Sequence, residues 1–133
     1  MRKTVFSLMM ILSILMIAGT VFAQPEAEKV TYTGYLMDKA CADMGKGMDG
    51  SDIVNSPQDH TKKCLMAEPC KESGYGVWLK GDSGAYEFIK FDGIGDERAW
   101  EIITDASRKD NFTIEVEGTL EDDVLNVDSL VLN

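Results

Sequence analysis

The chain has 133 residues, with 23 Asp and Glu against 13 Lys and Arg, one His, three Cys and eight Met, and 44% of it is hydrophobic. That length and composition fit one domain with an ordinary core and exclude wholesale disorder. A formal charge of −10 argues against the basic face that nucleic acid requires and against an anionic membrane surface, so the partner is left as an unspecified ligand or protein.

Residues 1–23 read as a signal peptide. Met1-Arg2-Lys3 is a positive start, Val5 to Ala18 is apolar apart from two serines, and Val21 and Ala23 suit cleavage after Ala23. An uncleaved anchor is the competing reading, since Val5 to Ala23 is just long enough to cross a bilayer. The Gly19-Thr20 break and the cleavage site favour removal, which predicts a periplasmic or secreted protein with no membrane attachment afterwards. Arg2 and Lys3 leave with the peptide, so the mature chain is more acidic still. Met1, Met9, Met10 and Met16 leave too, whereas every cysteine stays.

Residues 24–29 form a polar lead-in, and 30–133 are expected to fold as a single domain. Val30–Met37 alternates as a half-buried strand with a bend or bulge at Gly34. The stretch 38–73 breaks the alternation with glycines and prolines and is an insert after strand one. Tyr75–Lys80 and Ala85–Phe91 flank Gly81-Asp82-Ser83-Gly84 as a hairpin. Asp96–Ser107 carries Ala99, Ile102, Ile103 and Ala106 at helical spacing, and Arg108-Lys109 suit the negative end of its dipole. Phe112–Leu120 and Val124–Leu132 are the last strands, the latter slipping near Asp128-Ser129. The predicted fold class is mainly β with one or two short helices: an OB-like, five-stranded, partly open barrel, which places its helix between the third and fourth strands. Fold alone does not license a function.

The insert holds the chemistry. Ser56-Pro57-Gln58-Asp59 reads as a helix start, with Pro69 as its stop, so His60 and Cys64 would stand at i and i+4 on one face. Cys70 follows the predicted stop, and Cys41 follows strand one. Cys41, His60, Cys64 and Cys70 thus compose a three-cysteine, one-histidine set for zinc or Cu(I). The methionines of the mature chain, Met37, Met44, Met48 and Met66, all precede Cys70. They read either as soft ligands or as adaptable filler, the latter preferred.

In an exported protein the preferred reading of three cysteines is one disulfide and one remaining thiol. Cys41 with Cys70 would close a loop worth roughly 3–4 kcal/mol, and Cys64 with Cys70 roughly 2.4 kcal/mol. The leading expectation is therefore a non-enzymatic binding or structural domain, its insert fastened by a disulfide and without a resident cofactor. A metal-binding protein is the alternative. A thiol-based redox protein using Cys64 and His60 comes third, because no orienting group or oxyanion site accompanies the pair. No catalytic residue is assigned.

The segments Gly34–Ala42 and His60–Leu79, with their Gly-Tyr, Asp, Cys, then His, Cys, Cys and Ser-Gly-Tyr-Gly-Val pattern, resemble a group of small exported bacterial proteins of uncharacterised function. The matching positions are Gly34, Tyr35, Asp38, Cys41, His60, Cys64, Cys70, Ser73, Gly74, Tyr75 and Gly76. The resemblance implies no activity, and the stretch Met44–Ser56 lies outside it.

Overall fold

The alternating run after the lead-in becomes β1 (Lys29–Asp38) in a computed structural model that describes residues 27–133. The signal peptide expected at 1–23, with its cleavage after Ala23, and the start of the lead-in lie outside the described residues. The first part of β1 pairs antiparallel with β4 (Thr113–Glu121), ending with Tyr35 opposite Thr113. From Tyr35 opposite Trp78 to Asp38 opposite Tyr75 it pairs with β2 (Tyr75–Lys80). This change of neighbour falls at Tyr35, next to Gly34. A Cβ on Gly34 would lie 2.6 Å from the Trp78 carbonyl oxygen, so the close approach requires glycine.

The predicted hairpin forms from β2 and β3 (Tyr86–Phe91). At the other hairpin, Asp122 and Asp123 both adopt positive φ and turn β4 into β5 (Val124–Leu132). The expected slip is a bulge: Glu117 faces Ser129 but Gly118 faces Val127, leaving Asp128 as the extra residue. A short parallel pairing, Lys90 with Val124 and Phe91 with Leu125, joins β3 to β5. Hydrogen bonding therefore closes into a ring in the order β1-β2-β3-β5-β4.

Among the described residues, four helices accompany the sheet. The longest, α4 (Gly93–Asp105), starts three residues earlier than its apolar spacing suggests, because the Asp92 carboxylate accepts a bond of 2.9 Å from the Gly95 amide and caps it there. Its Ala99 and Ile103 are buried in the ring interior. Arg108 and Lys109 lie beyond its end. Instead the Lys62 ammonium, from the insert, donates to the Thr104 and Ala106 carbonyls.

The single helix expected from Ser56 to Glu68 is three pieces. Pro57–Asp59 makes one 3₁₀ turn, His60 is extended at φ −67 and ψ 121, and Thr61 starts anew by accepting from the Cys64 amide. The results are α2 (Lys62–Leu65) and α3 (Glu68–Ser73), preceded after β1 by α1 (Lys39–Met44). Pro69, expected to stop a helix, sits in the first turn of α3, where its missing N–H costs nothing. No helix among the described residues is long and apolar enough to cross a membrane.

Strand alternation at the β1–β2 end divides the interior in two. Leu36 and Val77 face the ring, with Tyr75, Phe91, Ile114 and Val116. Met37 and Trp78 face the insert and pack with Ile53, Cys41, Cys64 and Cys70. The insert is held down by hydrogen bonds: Trp78 Nε1 to the Ile53 carbonyl at 3.0 Å, Tyr75 OH to the Leu65 carbonyl at 2.7 Å, and the Lys39 amide to the Gly74 carbonyl at 2.9 Å. The disulfide expected to do this is not formed; Cys41, Cys64 and Cys70 are free thiols.

Candidate metal centre

Three short helices deliver the cysteines. Asp38, the last residue of β1, caps α1 by accepting the Cys41 amide on Oδ1 at 2.9 Å, which places Cys41 in the first turn. Thr61 does the same for Cys64 in α2. Cys70 lies in α3, joined to α1 through Ser73, whose hydroxyl donates to the Cys70 carbonyl at 2.7 Å and accepts from the Ala40 amide at 3.0 Å. None of these caps needs a long helix; each needs one polar side chain three residues from a cysteine.

The sulfurs converge. Cys41 Sγ lies 3.7 Å from Cys64 Sγ and 4.0 Å from Cys70 Sγ. The three sulfurs and an Asp38 oxygen all fall within 4.8 Å of one another, and all four residues are buried. A disulfide would need about 2.05 Å. Two thiolates on one tetrahedral zinc, at Zn–S of about 2.3 Å, stand about 3.8 Å apart. The cluster is spaced for a shared ion between the sulfurs.

His60 is not at the sulfurs. Its Nε2 bonds Asp38 Oδ2 at 3.0 Å, with both residues almost wholly buried, and its Nδ1 is buried with no hydrogen-bond partner. It stands behind the carboxylate, and Asp38 occupies the fourth place that i,i+4 spacing assigns to His60. The broken helix explains the difference: the extended backbone at His60 turns its ring toward the end of β1. The same bond directs Nε2 to Asp38 rather than to Cys64, the partner a thiol-histidine pair requires.

Charge follows from these contacts. Burial works against an ionised Asp38, but the bonds from His60 and the Cys41 amide outweigh it and hold the carboxyl below its ordinary range. Burial, then the nearby Asp38 charge, raise the Cys41 thiol, and the same two causes push Cys70 up to about 12. Without a cation, two buried sulfurs keep their protons beside a carboxylate. A divalent ion would displace those protons and balance the charge that burial disfavours.

A further sulfur reaches the cluster. Met48 Sδ lies 3.3 Å from Cys70 Sγ, while Met37 is buried in the same apolar group and Met44 and Met66 are exposed. Asp38 and Met48 are absent from the ligand set composed from sequence. For Asp38 a cue existed: an acidic residue three before Cys41, where an N-cap stands. For Met48, inside a glycine-rich loop, no such spacing was available. Comparisons with protein-family models, with characterised proteins and with solved structures give no match for this chain.

Proposed function

We propose that this is a metal-binding protein that holds one zinc ion through Cys41, Cys64, Cys70 and Asp38, with His60 orienting the carboxylate. The observation that carries the reading is the convergence of three free, buried sulfurs at tetrahedral separations on a buried carboxylate. Zinc suits it because one ion accepts thiolates and a carboxylate together. The His60–Asp38 bond supports it, since ligating groups are normally fixed by an outer hydrogen bond. Four protein donors leave no open position for a substrate, so the role is structural or storage-like rather than catalytic.

The scaffold is proposed to be OB-like, supported by the ring order and by the helix lying between the third and fourth strands. Export is proposed from the apolar run after Arg2-Lys3. The two fit one another: in an oxidising compartment, a bound ion is what keeps three neighbouring thiols reduced.

Intact mass, metal analysis and thiol titration on the full chain purified from the exported fraction test the reading. One zinc per chain is expected, with three thiols that titrate only after chelation. Cys41→Ser, Cys64→Ser and Cys70→Ser should each lose stoichiometric zinc. Metal-free protein with a mass deficit of two hydrogens and a single thiol would overturn it.

A further inference from the structure

Of the donor side chains at the cluster, Asp38, Cys41 and Cys70 are 0% exposed and Cys64 is 4% exposed, whereas Met48 is 52% exposed with its thioether on Cys70. Met48 is held at the cluster by this sulfur contact, with its Sδ 3.3 Å from Cys70 Sγ. The loop that carries it is closed tightly, with the Gly47 amide on the Ser51 carbonyl and the Gly50 amide on the Gly47 carbonyl, each at 2.9 Å. A filler side chain left in solvent needs no such sulfur contact.

Thioether and carboxylate have opposite preferences. A neutral, polarisable thioether suits Cu(I) and serves zinc poorly; a carboxylate oxygen suits harder ions. The same three thiolates therefore have a hard fourth donor on the buried side, Asp38, and a soft one on the exposed side, Met48.

We propose that the centre accepts Cu(I) through Met48, which meets the incoming ion at the surface and completes an all-sulfur set with Cys41, Cys64 and Cys70. The inference rests on the reading of the three cysteines as metal ligands. No oxidation state changes: Cu(I) enters as a monovalent ion, zinc leaves as a divalent one, and one proton taken up from solvent makes up the difference in charge. Asp38 is released as a ligand and keeps its bond to His60.

The test is anaerobic titration of zinc-loaded full chain with Cu(I), against a colorimetric Cu(I) chelator for affinity and a zinc dye for release. One equivalent of Cu(I) should release one zinc. Met48→Leu should weaken Cu(I) by roughly 10–100-fold, the scale of losing a supporting metal contact, while zinc affinity stays within about threefold. Asp38→Asn should show the reverse pattern. Met66→Leu, at an exposed methionine outside the sulfur cluster, should change neither. Retained zinc binding reports that each methionine variant is folded. Unchanged Cu(I) affinity in Met48→Leu, or an equal loss in Met66→Leu, overturns the Cu(I) route and leaves the zinc centre standing. So does zinc that is not released by Cu(I). Wild-type protein that binds neither ion removes both.

Discussion

The two faces of the β1–β2 end are built from alternate residues of the same strands, yet they hold together by different physics. Leu36 and Val77 point into the ring, where Phe91, Ile114, Val116, Ala99 and Ile103 surround them with carbon. Met37 and Trp78 point outward into a smaller group made of three sulfurs and Ile53, backed by Asp38 and His60. The inner face is stabilised by apolar area removed from water, which needs no partner from outside. The outer face gathers groups that are costly to bury unless something shared satisfies them. One strand pair thus supports a self-sufficient core and a second core that, on the proposed reading, an ion completes.

The largest expected effect separates the two directly. Chelating the proposed zinc removes up to about 4 kcal/mol when free zinc stands near 1,000 times its dissociation constant. Hydrogen exchange should then show lost protection across residues 39–73 and retained protection in β4 and β5. Uniform loss across both regions would break the distinction. Next, Leu36→Ala should cost about 3 kcal/mol through the lost transfer energy and the cavity, with and without chelator alike, by urea denaturation. A cost that vanishes in zinc-free protein would mean the ring depends on the ion as well.

His60→Ala should lower zinc affinity about 10–100-fold while leaving three thiols able to bind, because it removes the group that orients Asp38 and no direct ligand. Complete loss of binding would make His60 a ligand after all.

The most gradual effect, and small at any pH near neutral, is a pH dependence of the metal-free form. The Cys70 thiol is raised from 9.0 to about 12 on folding, and burial raises Cys41 too. An unfolded chain releases those protons first. The stability they contribute is therefore complete below about pH 9 and is lost as pH rises toward 12, by up to about 1.4 kcal/mol per pH unit for each thiol. Zinc-loaded protein, its thiolates already deprotonated, should lack this alkaline decline, and urea midpoints across that range provide the check.

The same contrast governs how much was legible in the sequence. Ring strands announce themselves by period-2 alternation, and the bulge at Asp128 showed as a broken alternation. These features arise from neighbours within one strand. The insert is assembled by contacts that skip along the chain: Trp78 to Ile53, Lys62 to Thr104 and Ala106, His60 to Asp38. Its three cysteines converge, and the group the structure brings beside them is Asp38, with His60 bonded behind it. An i,i+4 argument holds only while a helix is continuous, and the extended backbone at His60 breaks it. Asp38 was hidden because an acidic residue ending a strand looks like a turn or a cap before it looks like a member of a sulfur cluster. Met48 was hidden by composition, because methionine in a glycine-rich loop is more often filler. The expected disulfide fails on spacing, as all three sulfurs meet at one point instead of two meeting in a bond.

X-ray absorption at the zinc edge of the loaded, full-length protein tests the central claim most directly. The account predicts three sulfurs at about 2.3 Å and one oxygen at about 2.0–2.2 Å. A spectrum with imidazole in the fourth position, or with two or fewer sulfurs, would contradict it.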